Sequence, residues 1–158
     1  MTVSRPVDLR AVTRETLDRC IRLRVAPEQQ DFVASNLYSL AESAVMPDTW
    51  PLAVYDGDEM VGFVMYSREP ETGRYWILRL MIDVAHQGRG FGRATLMAAI
   101  ALIRERHACR EVILSIDDGN QVAERLYESV GFRRTGEIDS GEVVMRLDLE
   151  PTSTERRN

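Results

Sequence analysis

Residues 87–93 read Gln-Gly-Arg-Gly-Phe-Gly-Arg, QGRGFGR, between the apolar run WILRLMID (76–83) and the helical run ATLMAAIALIRERH (94–107). Glycine at alternate positions, where a strand hands over to a helix, costs backbone entropy and adds nothing to a core. The residues are justified only if the backbone itself is needed. A helix N-terminus carries unpaired N–H groups and the positive end of the helix dipole. With side chains absent, a phosphate can reach those groups. Gly88, Gly90 and Gly92 therefore read as a pyrophosphate cradle, with Gln87, Phe91 and the charged Arg89 and Arg93 between and beside them. A tight turn with no ligand is the other reading of the same stretch. The spacing excludes two common phosphate motifs. No G-x-x-x-x-G-K-[ST] occurs anywhere, and a G-x-G-x-x-G would need glycine where Arg93 or Thr95 stands.

The flanking segments set the fold class. Residues 7–12 read as a first strand. Thr13 is placed to cap a helix over 14–25, with Leu17, Ile21 and Val25 at helical spacing. Pro27 suits the first turn of a second helix over roughly 27–45, whose inner face would carry Phe32, Leu37, Leu40 and Val45. PLAVYDGDEMVGFVMYS (51–67) is a hairpin around Asp56-Gly57-Asp58. A long strand follows over 74–84, then a helix over 90–107 with Leu96, Ile100 and Ile103 inward. EVILSI (111–116) is a short strand of buried type, 120–129 a fourth helix, and 131–138 and 142–149 two closing strands. The order predicts a single α/β domain over 1–150, built on a mixed sheet of six to seven strands with four helices. Residues 151–158 read as a flexible tail.

The 158 residues carry a net charge of -5, which argues against a nucleic-acid partner and suits a cationic small molecule. Cys20 and Cys109 are expected as free thiols. No run of ~18 apolar residues predicts a membrane span, so a cytoplasmic location is the default. His86 and His107 lack ligand-like neighbours, so they are read as surface residues and no metal site is expected.

NQVAERLYESVGF (120–132) carries the second motif. On a helix Asn120, Ala123 and Tyr127 fall on one stripe, able to meet a ligand. Val122, Leu126 and Val130 form another, able to face the core. Tyr127 reads equally as a core aromatic with a satisfied hydroxyl.

Taken together, Gln87, Gly90 and Gly92 in [Q/R]-x-x-G-x-[G/A], and Asn120, Ala123, Leu126, Tyr127, Gly131 and Phe132 in N-x-x-A-x-x-L-Y-x-x-x-G-F, resemble the GCN5-related N-acetyltransferase (GNAT) family over nearly the whole chain. The resemblance implies a mostly antiparallel sheet with a splayed central strand pair. It implies acetyl-coenzyme A as cosubstrate, its pyrophosphate on residues 87–93 and its pantetheine arm along the backbone of Leu80, Met81 and Ile82, with Asn120 and Ala123 nearby. It implies direct attack by an amine in a ternary complex, a backbone N–H at the oxyanion and Tyr127 as general acid to the leaving thiolate. A homodimer is the family habit. An acyl-coenzyme A binding module without catalysis would share the fold but would not need Tyr127.

The stretches 27–43, 74–83 and 140–149 resemble the bacterial spermine/spermidine acetyltransferases most, which implies a polyamine acceptor ahead of another small amine or a protein N-terminus. A lysine-like amine with pKa about 10.4 is neutral in only about one molecule in 2,500 at pH 7. A carboxylate acting through water, or local desolvation, must therefore help. Leu78 stands where such enzymes often carry an acid. Glu28, Asp31 and Glu42 on the second helix, or Glu137 and Glu142 near the end, are the replacements available. Tyr38 and Tyr66 are placed to line the acceptor cleft.

Overall fold

The computed structural model describes residues 6–150. The tail expected at 151–158 lies outside the described residues. Seven strands and four α-helices follow in the order β1 (Asp8–Ala11), α1 (Leu17–Arg22), α2 (Asn36–Val45), β2 (Thr49–Asp56), β3 (Glu59–Arg68), β4 (Tyr75–Ile82), α3 (Phe91–His107), β5 (Glu111–Ile116), α4 (Gln121–Val130), β6 (Arg133–Asp139) and β7 (Glu142–Asp148). Short 3₁₀ turns occupy Pro27–Gln29 and Val84–His86. One sheet holds all seven strands in the order β1-β2-β3-β4-β5-β7-β6. Only the β4–β5 pairing is parallel.

Layers cover both faces of the sheet, so the central strands read as continuous apolar runs rather than alternating ones. Eight consecutive residues of β3, Met60–Ser67, are buried. One face carries α3 and α4 over the main core, which includes Val64, Leu96, Ile103, Val112, Leu114, Ile116 and Met145. The other carries α1 and α2 over a second cluster built on Cys20, Phe63, Met65 and Met81. Leu96 and Ile103 on α3 are fully buried, each contributing about 1.5–3 kcal/mol of apolar burial. That packing holds α3 in place without a strong cap.

The region expected as a single helix over 27–45 is broken. After the 3₁₀ turn at Pro27, the chain turns again until Ser35 accepts the N–H of Tyr38 at 3.1 Å and starts α2. The N-cap fixes the phase of the helix. Its inner face is Asn36, Ser39 and Leu40, while Phe32, Leu37 and Val45 are exposed. Asn36 donates to the Cys20 carbonyl at 2.9 Å, tying α2 to the end of α1. A polar inner face is invisible to a hydrophobic-period argument, so of the four residues expected there only Leu40 packs inward. The first helix is likewise shorter than expected, with Thr16 and not Thr13 at its start and Leu17 exposed. The hairpin turn, by contrast, is where the sequence puts it, with Gly57 at φ +60.

The two histidines are half-buried rather than on the surface. His107 stacks on Tyr75 at 4.6 Å, and its Nε2 lies 3.1 Å from the Tyr66 hydroxyl. Trp50 stacks on Tyr66 at 4.9 Å. His86 Nε2 lies 3.6 Å from Glu59, an ion pair when the ring is protonated. Cys20 and Cys109 are both free thiols, the first buried.

Candidate active site

The site begins with a defect in the sheet. β4 and β5 pair only at Tyr75–Val112 and Trp76–Ile113, then part. The other edge of β4 stays paired with β3 up to Ile82. The edge of β4 that faces β5 is therefore open over Leu78–Ile82. A β-bulge between Met65 and Tyr66 in the β3–β4 register leaves Leu78 as the extra residue. Bulges bend a strand and add local twist, which favours separation from the next one. The side chains of Leu80 and Ile82 enter the main core and that of Met81 the second cluster. These three residues have only their backbone to offer a ligand.

At the C-terminal end of β4 the chain turns into α3. Gly88 and Gly90 adopt φ +74 and +84, and a Cβ on either would meet nothing within 4 Å. Gly90 is the N-cap of α3 and provides no side-chain cap. A glycine cap costs a few tenths of a kcal/mol relative to Ser or Asp, yet leaves the first N–H groups free. Space and free donors coincide here, which fits an anionic group. Gly92 differs in its surroundings, since a Cβ there would touch Leu126 of α4 at 3.6 Å. Phe91 is buried. Arg89 lies over the Phe91 ring at 5.1 Å and within 3.3 Å of His86 Nδ1. Arg93 is exposed and contacts the Met97 sulfur. The Gln87 amide donates to the Ile82 carbonyl at 2.9 Å and to Gln29 at 2.8 Å. It braces the loop against β4 and the 3₁₀ turn, a role that its place in the motif did not reveal.

α4 packs through Ala123, Leu126, Tyr127 and Val130. The two stripes read in the sequence merge into one at i, i+3, i+4, i+7, and Val122 is exposed. Asn120 is the N-cap, its Oδ1 accepting the Ala123 N–H at 3.2 Å. That commits its carbonyl oxygen and leaves its amide N–H groups for other partners. Tyr127 packs on Phe132 at 5.9 Å and joins the main core. Burial pushes its hydroxyl up to about 12, and the negative charge of Glu142 adds to the rise. Tyr127 is thus a core aromatic and also an acid that is fully protonated at neutral pH.

The opposite face of the sheet meets α2. Leu78 packs on the second cluster. Next to it, Arg79 pairs with Glu42 of α2 at 3.5 Å and donates to the Leu78 carbonyl at 2.9 Å, while its Nε has no partner. Both side chains turn to the α2 face, as a bulge permits. Of the carboxylates named for the second helix, Glu42 is thus neutralised within the chain, and Glu28 and Asp31 are exposed. Glu137 is held by Arg74 at 3.2 Å. Tyr66 is fully buried in the aromatic group around His107 and does not line a cleft. Tyr38 is exposed on α2. Arg79 and Ser115 were missed in the sequence, although a lone serine in the apolar strand EVILSI is a visible signal.

The Acetyltransferase (GNAT) family profile matches residues 17–132. The chain belongs to the GNAT acetyltransferase family. It is an acyltransferase, on a fold with the seven-stranded sheet and four helices that GNAT structures share. The spermine/spermidine N(1)-acetyltransferase of Bacillus subtilis is 33% identical over 150 residues, covering 90% of this chain and 99% of that protein. The N-alpha-acetyltransferase RimI of Mycobacterium tuberculosis is 32% identical over 136 residues, 83% of this chain and 81% of that one. The spermidine N-acetyltransferase of Vibrio cholerae, solved in complex with CoA and spermine, superposes with a TM-score of 0.70 at 21% identity, covering 90% of this chain and 95% of that one. Among the described residues no helix is long and apolar enough to cross a membrane, and no group of three metal-ligating side chains converges.

Proposed function

We propose that this GNAT enzyme transfers an acetyl group from acetyl-coenzyme A to a primary amine of a polyamine. The observation that carries the reading is the open edge of β4 running into the glycine turn. A free strand edge, two left-handed glycines with no atoms near them, and an uncapped helix N-terminus form one continuous track of backbone donors. The backbone of Leu80, Met81 and Ile82 would hold the pantetheine arm. Gly88, Gly90, Gly92 and the N–H of Phe91 would hold the pyrophosphate, with Arg89 and Arg93 adding charge. When bound, the cosubstrate supplies an activated acetyl thioester.

The chain's own residues then have three tasks. A backbone N–H at the β4 bulge stabilises charge that develops on the thioester oxygen. Tyr127 donates its proton to the departing sulfur. Its hydroxyl at about 12 is a weak acid beside an ordinary thiol at about 8.5. Full transfer would be uphill by roughly 3.5 pKa units, or about 5 kcal/mol. The proton therefore moves to the sulfur only as the C–S bond breaks, with Tyr127 regaining one through water in the same step. The third task is to hold a polycation. The 33% identity to the Bacillus subtilis enzyme over almost its full length supports a polyamine, as does the net charge of -5. The match to RimI favours a protein N-terminus as the second reading.

The test is steady-state acetylation of spermidine, of a peptide with a free N-terminus and of a monoamine at equal concentration. The highest kcat/KM for spermidine is expected; a higher value for the peptide would move the assignment to the second reading.

A further inference from the structure

A second polar group flanks the strand opening, on the face away from α4. Val112, Leu114 and Ile116 of β5 point into the core under α3 and α4. Strand alternation therefore turns Ser115 to the other face. Ser115 lies two residues beyond the last β4–β5 pair, in the part of β5 that has left β4. Its Oγ donates to Glu142 Oε2 at 2.6 Å. Glu142 opens β7 after a two-residue turn, Ser140 at φ +50 and Gly141 at φ +86, which suits a type I′ hairpin and fixes its direction. The negative charge of Glu142 adds to the rise in the Tyr127 pKa, behind the effect of burial.

Of the other carboxylates, Glu28 and Asp31 are exposed, and three more are held by arginine. Glu42 has Arg79, Glu137 has Arg74 and Glu124 has Arg134. Among the described residues no Arg or His pairs with Glu142. The titratable groups related to it by charge or register are Tyr127 of α4, Asp139 opposite it on β6, and Asp117, which follows the Ile116–Val143 pair at the end of β5. Ser115 on β5 is neutral. Leu78 leaves β4 without an acid on this face. Glu142 is thus half-buried at the strand opening, with the Ser115 hydroxyl as its donor and no cation paired with it.

We propose that Glu142, oriented by Ser115, is the base that takes a proton from the acceptor ammonium at the mouth of the β4–β5 opening. The inference rests on the amine-acetylation reading above. Of the three ammonium protons, one passes to Glu142, directly or through one water, and then to solvent. The freed lone pair forms the C–N bond as the C–S bond breaks. One proton stays on the amide nitrogen. The third balances the sulfur, which takes the Tyr127 proton while Tyr127 regains one through water. The products are amide, thiol and one proton released. Acid and base thus approach the reacting atoms from opposite faces of one split sheet.

The test is Glu142→Gln, which keeps the shape and an acceptor for Ser115. At pH 7, kcat for spermidine should fall by ~10²-fold, the usual worth of a positioned base, with thermal midpoint and coenzyme A affinity unchanged. The deficit should narrow as pH rises toward the amine pKa of about 10.4, because the amine then arrives neutral. Ser115→Ala should give a smaller deficit of the same pH form. In the ligand-free protein, ultraviolet titration should show the Tyr127 hydroxyl ionising at lower pH in Glu142→Gln, the signal being assigned with Tyr127→Phe. Unchanged kcat in Glu142→Gln overturns the proposal, as does a raised KM with constant kcat at every pH, which would make Glu142 an ammonium anchor. If the wild-type protein acetylates no amine at all, the amine reading itself is what fails.

Discussion

The glycine turn separates a ligand-binding role from a folding role by measurement. Gly88, Gly90 and Gly57 share a left-handed φ, +74, +84 and +60, and at all three a Cβ would find open space. Alanine at each should therefore cost only backbone strain, about 1–2 kcal/mol. For a chain of this size 1 kcal/mol moves the thermal midpoint by about 2–4 °C. Gly57 sits in the β2–β3 hairpin, away from the proposed track. Binding should divide the three. A methyl group at Gly88 or Gly90 would stand between the backbone and a phosphate, removing a hydrogen bond to a charged group worth about 1.5–3 kcal/mol. At 1.4 kcal/mol per decade that is a loss of about 10- to 150-fold in coenzyme A affinity. Gly90→Asp adds negative charge and should lose more. Calorimetry on the folded variants reads the affinities, and scanning calorimetry the midpoints. Wild-type affinity in Gly88→Ala and Gly90→Ala would refute the cradle. An equal affinity loss in Gly57→Ala would show that strain, and not the phosphate, is being measured.

Tyr127→Phe keeps the ring and its packing on Phe132, so turnover should fall by ~10²-fold or more while coenzyme A affinity holds; turnover within threefold of wild type would leave Tyr127 a core aromatic only. The same variant should be less sensitive to alkali. With a folded value raised to about 12 against about 10 unfolded, the Tyr127 hydroxyl stabilises the fold fully below pH 10. That contribution, up to roughly 3 kcal/mol, is lost between pH 10 and 12, and denaturant titration across this range should show a shallower decline in Tyr127→Phe. Glu42→Ala leaves Arg79 half-buried with only the Leu78 carbonyl, and should cost about 1–3 kcal/mol of stability in denaturant titration; Arg79→Met with Glu42→Met should recover most of it, and losses that simply add in the double variant would show that the pair is not coupled.

The sequence was most legible where one physical requirement dominated. α3 reads at once because Leu96, Ile100 and Ile103 recur on one face and the glycines mark its start. β5 runs over Glu111–Ile116 as EVILSI implies, and β2, β3, β4 and β7 stand where expected because each is a largely apolar run between turn residues. The reading failed where polar groups do the packing. Asn36 ties α2 to α1 and β4 through the Cys20 carbonyl and the Met81 sulfur, with Ser39 also buried, so a search for buried apolar residues puts Phe32, Leu37 and Val45 on the wet side. On α4 the error was one of phase, since Val122 belongs outside once Asn120 caps the helix. The candidate site was legible as motifs but not as geometry. Nothing in the spelling of WILRLMID announces the bulge at Leu78 or the pairing of Arg79 with Glu42. Only the register of β7 against β5 brings Glu142, one of five possible carboxylates, to Ser115 and the strand opening.

The central claim is acetyl transfer to a polyamine. Its most direct test is thiol release from acetyl-coenzyme A by the wild-type protein with spermine or spermidine, followed by mass analysis of the product. The account predicts saturable release, one thiol per acetylated amine. Protein that binds coenzyme A and acetylates some other amine, yet releases no thiol with spermine or spermidine, would contradict it.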